Sequence, residues 1–160
     1  MRRQIISLAG WLALSFGAGA VGSVATVQAQ AFYGQLAQPA WAPPGWVFGP
    51  VWTVLYALMG ISAWLVWKAG GFRANGAALG LFLGQLVLNA LWSWLFFAWR
   101  LGGWSFMNIL ALLGVISLVF TVFWRIQRLA GILLIPYLLW VAFASALNFA
   151  IWQLNPHLLA

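Results

Sequence analysis

Apolar residues run along this chain in five long blocks, separated by short clusters of glycine, proline, glutamine and basic residues. The blocks cover roughly residues 5–27, 46–67, 75–99, 104–124 and 129–153. Each reaches the ~20 residues that carry a helix across a bilayer core. Within them the apolar positions are continuous rather than alternating, so the period of two expected of strands is missing. A backbone in lipid must satisfy its own hydrogen bonds, which leaves helices. No block holds a charge in its middle, where one arginine costs about 2.5–3.5 kcal/mol. The pattern predicts a single all-α membrane domain over residues 1–160, a bundle of five transmembrane helices. Three of the connections are short, so consecutive helices pack antiparallel. The first, roughly residues 28–45, is long, uncharged and rich in proline and aromatics. It is expected to fold back over the end of the bundle rather than to be disordered.

The first block has a rival reading. Arg2 and Arg3 before it and Val27-Gln28-Ala29 after it outline a secretory signal. The apolar run of such a signal is usually about 7–15 residues; this one is about 23, which fits a span.

Charge then orients the bundle. Arg2, Arg3, Lys68, Arg73, Arg125 and Arg128 fall on one side, and Arg100 alone on the other. The positive-inside rule places the N-terminus in the cytoplasm and the C-terminus across the membrane. Trp46, Trp67, Trp99, Trp104 and Trp124 stand near span ends, as interfacial anchors do.

Composition removes whole classes of function. The 160 residues are 66% hydrophobic and 4% charged, with seven Lys plus Arg and neither acidic residues nor cysteine. The mean hydropathy is +1.01. Without carboxylates there is no acid/base pair for glycosides, no acidic cluster for Mg²⁺ or Ca²⁺ and no buried relay for an ion-coupled pump. Without cysteine there is no thiolate nucleophile, disulfide or Cys-based zinc site. The net charge of +7 is carried by scattered residues, not by the basic stripe that nucleic-acid binding needs. No metal site is predicted; His157 follows Asn155-Pro156 in the tail with no carboxylate to orient it.

Polar side chains at lipid depth are few: Gln85, Asn89, Ser93, Asn108, Ser117, Ser145 and Asn148. They are expected to face the bundle interior. Helical spacing sets Gln85, Asn89, Trp92 and Phe96 on one side of the third helix, Trp52 and Tyr56 on one side of the second, and Trp140, Ala144 and Asn148 on one side of the fifth. Two readings stay open: an aromatic-walled pocket with a few hydrogen-bonding groups, or ordinary helix packing with amides as interhelical glue. Gly76, Gly80 and Gly84, four apart, make a smooth stripe that is either a homodimer seam or a contact within the bundle. Gly17, Gly19 and Gly22 make a weaker version on the first helix. Pro136 and Pro50 are expected to bend their helices, opening ligand space or doing nothing more.

One stretch goes beyond pattern. Pro39-Ala-Trp41-Ala-Pro43-Pro44-Gly-Trp46-Val-Phe48-Gly-Pro50-Val-Trp52-Thr-Val-Leu55-Tyr56 closely resembles the signature of the TspO/translocator protein family, also called tryptophan-rich sensory protein or peripheral benzodiazepine receptor. Gly84-Gln85-Leu86-Val-Leu-Asn89-Ala-Leu-Trp92 with Phe96-Phe97 resembles its third helix, and Leu134-Ile-Pro136-Tyr137-Leu-Leu-Trp140-Val-Ala-Phe143-Ala144 with Leu147-Asn148 its fifth. The resemblance implies a five-helix bundle, usually dimeric, with no obligatory cofactor. Its ligands would be tetrapyrroles such as protoporphyrin IX or haem, bound beneath the first loop. The implied ligand-binding residues are Tyr33, Trp41, Pro43, Phe48, Trp52, Tyr56, Asn89, Trp92, Trp140, Ala144 and Asn148. Gly80 and Gly84 match a proposed dimer or sterol-contact motif.

The departures count too. Phe32-Tyr33 stands where many members have Trp-Tyr, and Gln38 replaces a basic residue before the loop proline. Light-dependent porphyrin breakdown in the family is tied to that first Trp and to the one matching Trp140; only Trp140 is present. Phe149 and Gln153 stand where the sterol motif needs Tyr and a cation. The leading expectation is therefore a non-enzymatic receptor or sensor, in a bacterial cell membrane and in contact with its lipid, that binds tetrapyrroles and regulates or assists their movement. A light-dependent porphyrin-degrading enzyme using Trp140 and a lipid or sterol carrier are the alternatives.

Overall fold

The computed structural model describes residues 2–159; Met1 and Ala160, the ends of the expected domain, lie outside the described residues. Among those described there are helices and turns and no strand. Helix α1 spans Arg2–Ala25, a short α2 spans Ala29–Gln35, α3 spans Phe48–Ser93, α4 spans Gly102–Ile126 and α5 spans Arg128–Leu154. A single 3₁₀ turn, Gly45–Val47, leads into α3, and a π-helical turn, Trp94–Ala98, leads out of it.

Four helical stretches are long and apolar enough to cross a membrane, as an integral membrane protein requires. The second, Gly45–Ala98, has 54 residues. Straight, it would reach about 80 Å at 1.5 Å per residue, far beyond a ~30 Å hydrocarbon core. It does not run straight. At Gly71 the backbone adopts φ 62 and ψ −165, a region glycine enters freely and other residues rarely do, and Asn75 is also non-helical. The Asn75 side chain donates to the Val66 carbonyl (3.0 Å) and braces the turn. The limbs on either side, residues 48–70 and 76–93, fold into an antiparallel pair, because Tyr56 bonds Asn89 and Gln85 meets Met59. The expected second and third spans are these limbs, joined by bent helix instead of a loop, and the rods number five.

Helix α1 lies along the hairpin and touches both limbs. A Cβ on Gly60 would stand 2.8 Å from Leu12 Cδ2 and 3.0 Å from Leu12 Cα, so the first limb and α1 meet nearly backbone to backbone. Trp11 packs edge-on to Phe82 of the second limb (5.9 Å). Sparse polar contacts pin the rest: Ser62 Oγ donates to the Ala130 carbonyl of α5 (2.8 Å), and Asn108 Nδ2 of α4 to the Leu88 carbonyl (2.9 Å).

Of the seven lipid-depth polar residues, Gln85, Asn89, Asn108, Ser145 and Asn148 are buried and Ser93 is half-buried. Ser117 differs. It is exposed on α4 and donates to the Leu113 carbonyl one turn back (2.8 Å). A hydroxyl can satisfy itself on its own helix, so it needs no interior. Pro136 lies within α5 without ending it, and Pro50 falls in the first turn of α3, where proline costs little.

The expected loop contains a helix that patterning did not foresee. Burial of Phe32, Tyr33 and Leu36 holds α2 in place more than its own seven residues could.

Candidate functional site

A cavity of about 600 Å³ opens between α1, α2 and the two limbs of α3. Its wall from α1 is made of small residues, Gly19, Ala20, Gly22 and Ser23, together with Phe16, and Thr26 and Val27 continue it just past the helix. The facing wall is aromatic. The first limb of α3 contributes Phe48, Trp52 and Tyr56, and the second limb and the π turn contribute Asn89, Trp92, Ser93 and Phe97. Ala29, Gln30 and Tyr33 of α2 close the loop side. Among the described residues no charged one lines it.

The rings are braced against each other. Trp52 lies 5.5 Å from Tyr56 and 6.1 Å from Tyr137, Tyr33 is edge-on to Phe48 at 5.4 Å, and Trp92 stacks on Phe96 at 5.6 Å. The π turn helps set this wall. Its Trp99 N–H bonds the Trp94 carbonyl five residues back (2.8 Å), and the widened turn buries Phe96 while Phe97 reaches the cavity.

Behind the wall runs a buried polar chain. Tyr56 Oη donates to Asn89 Oδ1, Asn89 Nδ2 donates to Tyr137 Oη (2.9 Å), and Tyr137 Oη donates to Gln85 Oε1 (2.7 Å). Gln85 Nε2 ends on Met59 Sδ at 3.6 Å. A chain with its donors in one sense polarises along its length and fixes the orientation of each member. On the loop side, Tyr33 Oη donates to the Pro43 carbonyl (3.0 Å). Burial raises the Tyr33 phenol above its ordinary value of 10, so it remains a neutral donor throughout physiological pH.

The structure brings Tyr33, Phe48, Trp52, Tyr56, Asn89 and Trp92 to this one cavity. It does not bring the other expected residues to its wall. Trp41 is exposed and edge-on to Phe143, and Pro43 serves as acceptor for Tyr33. Ala144 is buried in α5. Asn148 accepts from Trp92 Nε1 (2.9 Å), one step behind the wall. Trp140 sits behind Phe48, at 5.7 Å, and lines a second, apolar groove with Pro50, Val51, Pro136 and Phe143. Trp140 Nε1 and Asn148 Nδ2 are buried donors with no partner among the described residues. Gly76, Gly80 and Gly84 face away from the bundle, and a Cβ at any of them would meet nothing within 4 Å.

Sequence reasoning missed Phe16, Phe97 and Tyr137. It had marked Gly19 and Gly22 only as a packing stripe. For α1 the signal was present in those small residues: a Cβ on Gly19 would stand 2.6 Å from the Tyr56 ring and one on Gly22 3.1 Å from Ser93 Oγ, so they admit the facing limbs of α3. Arg100 was noted only for its side of the membrane; its guanidinium stands 4.6 Å over the Phe32 ring and so contacts α2.

Comparison with known proteins agrees with this architecture. The TspO/MBR family profile matches residues 11–153. The human translocator protein is 42% identical over 126 residues, covering 78% of this chain and 75% of its own. The tryptophan-rich protein TspO of Chlorobaculum tepidum is 41% identical over 159 residues, covering 98% of this chain and all of its own. Protein CrtK of Rhodobacter capsulatus is 40% identical over 142 residues, 87% of this chain and 86% of its own.

Proposed function

The chain belongs to the TspO/MBR family, and from that premise we propose that it is a membrane receptor for tetrapyrroles, protoporphyrin IX or haem, which it binds in the cavity between α1 and the α3 hairpin. The observation that carries this reading is the shape and chemistry of that hollow: about 600 Å³, flat aromatic rings on one side, a glycine-smooth wall on the other, and no charge inside. The volume falls within the ~300–1,000 Å³ of small-molecule sites, and a few aromatic faces with a few polar groups are their usual lining. A planar macrocycle gains from burial against indole and phenol rings. The polar groups that do face the hollow are few, the Ser23, Thr26 and Thr53 hydroxyls and the Gln30 amide among them, and they are the ones a ligand carboxylate or carbonyl would meet. The first loop acts as the roof through Tyr33.

Titration of intrinsic tryptophan fluorescence with protoporphyrin IX, in detergent and in lipid, tests the proposal. Saturable quenching at one ligand per chain is expected; quenching that rises linearly without saturation would remove the site.

The cations fit a cytoplasmic N-terminus. Arg2, Arg3, Lys68, Arg73, Arg125 and Arg128 are all exposed at helix ends or turns away from the loop. The outward Gly76, Gly80 and Gly84 leave a face on which a second copy would pack closely. Because the chain has no cysteine, Gly80→Cys should give a disulfide-linked dimer in oxidised native membranes. A chain that stays monomeric under oxidation would place the homodimer seam elsewhere.

A further inference from the structure

We propose that Asn155, at the end of α5, is the tether that holds the first loop closed over the cavity, and that it thereby sets how long a bound ligand stays. The second half of this proposal rests on the ligand-binding reading above; the first does not.

Asn155 is buried, and its side chain is fully engaged. The Ala37 N–H donates to Asn155 Oδ1 (2.8 Å), and Asn155 Nδ2 donates to the Ala37 carbonyl (2.8 Å). One amide thus pairs with both backbone groups of one loop residue, as a neighbouring strand would. Its second N–H donates to the Ile151 carbonyl one turn back (2.8 Å), which fixes the rotamer before the loop arrives. Among the described residues, every other hydrogen bond of the segment 36–43 closes within the loop. Leu36 N–H donates to the Tyr33 carbonyl, Gln38 Nε2 to the same carbonyl, Ala42 N–H to the Pro39 carbonyl, and Pro43 accepts from Tyr33. Asn155 therefore supplies the only hydrogen bonds that fasten this segment to a transmembrane rod, across 118 residues of sequence.

The tether leads to the roof. Ala37 adjoins Gln38, whose amide holds the Tyr33 carbonyl at 2.6 Å, and the Tyr33 ring lines the cavity against Phe48. Asn155 itself lines no part of the cavity. It is a positioning residue, acting through Ala37 and Tyr33. Loss of a lid fastening speeds opening, so it raises both entry and exit rates and leaves the equilibrium affinity nearly unchanged. Damage to the binding wall acts differently, lowering affinity mainly through exit.

The test compares wild type with Asn155→Ala in nanodiscs by two measurements. Hydrogen exchange of the ligand-free protein should be at least tenfold faster at the amides of residues 36–43 and unchanged in α4. Stopped-flow fluorescence with protoporphyrin IX should show entry and exit both about tenfold faster or more, with Kd within about threefold of wild type. Asn155→Asp keeps the volume and the Oδ1 acceptor but sets an oxygen against the Ala37 and Ile151 carbonyls. It should release the loop likewise, and it carries the test where the alanine protein does not fold. Wild-type exchange rates at residues 36–43 would overturn the tether. Faster exchange with unchanged exit would overturn its control of residence time. If wild type itself shows no saturable binding, the ligand reading falls and the residence-time claim with it, while exchange still decides the tether.

Discussion

Asn89→Leu is expected to cost the protein about 1–3 kcal/mol of stability, read as a fall of several degrees in its unfolding temperature in detergent. The side chain removed is the middle of the buried chain. Tyr56 Oη loses its acceptor and Tyr137 Oη its donor, while leucine offers neither. Hydrogen bonds between membrane helices average only about 0.6 kcal/mol. The larger figure arises because a buried donor is left with no partner and no water to replace it. That reasoning makes a second, sharper expectation. Adding Tyr56→Phe to Asn89→Leu should restore part of the loss, since removing both partners leaves no orphan donor between them. A double variant as unstable as the sum of the singles would show that Asn89 acts by packing alone.

Trp52→Ala is expected to raise the Kd for protoporphyrin IX by about thirtyfold, equivalent to about 2 kcal/mol, the size of a well-packed aromatic anchor. Trp52 is half-buried, faces the hollow and is held in place by Tyr56 and Tyr137. Its loss removes the broadest flat surface of the first limb and lets water into the wall. Trp46, 67% exposed at the entrance to α3, makes the control. Trp46→Ala should leave the Kd within about twofold, although it deletes the same kind of ring six residues away. Equal effects from the two would mean that the measured signal reports nonspecific partitioning of the porphyrin. The readout is the porphyrin absorbance shift on binding, which does not depend on how many tryptophans remain.

The rods were legible because lipid imposes a simple rule: about 20 uncharged apolar residues, helical throughout. Block 75–99 corresponds to the second limb of α3 and the π turn that follows it. The turn between the second and third blocks was misread as a loop. The chain turns with only Gly71 and Asn75 out of helical conformation, and the segment is otherwise helical. Helix α2 was invisible for a different reason. Seven residues carry too little periodicity to signal a helix, and what orders them is tertiary, the burial of Phe32 and Tyr33 and the guanidinium of Arg100. In the site, spacing grouped Asn89 with Trp92 and Trp52 with Tyr56, since residues three or four apart share a face, and all four line the cavity. Spacing also grouped Trp140, Ala144 and Asn148, and that face of α5 does turn inward. But Phe48 and Trp92 stand between it and the hollow, and no period along one helix can tell which neighbour will intervene. The wall from α1 was missed because glycine acts there by letting Tyr56 and Ser93 come close, and a missing side chain gives no chemical signal of its own.

The thirteen tryptophans make the location of the ligand directly measurable. Chain labelled with 5-fluorotryptophan, its resonances assigned by single substitutions, reports each indole in one fluorine spectrum. With a tetrapyrrole seated between α1 and the α3 hairpin, saturating protoporphyrin IX should shift Trp52 and Trp92 most. Trp46 and Trp104, exposed at 67% and 70%, should stay in place. Shifts confined to exposed indoles, with Trp52 and Trp92 unmoved at saturation, would contradict the cavity as the binding site.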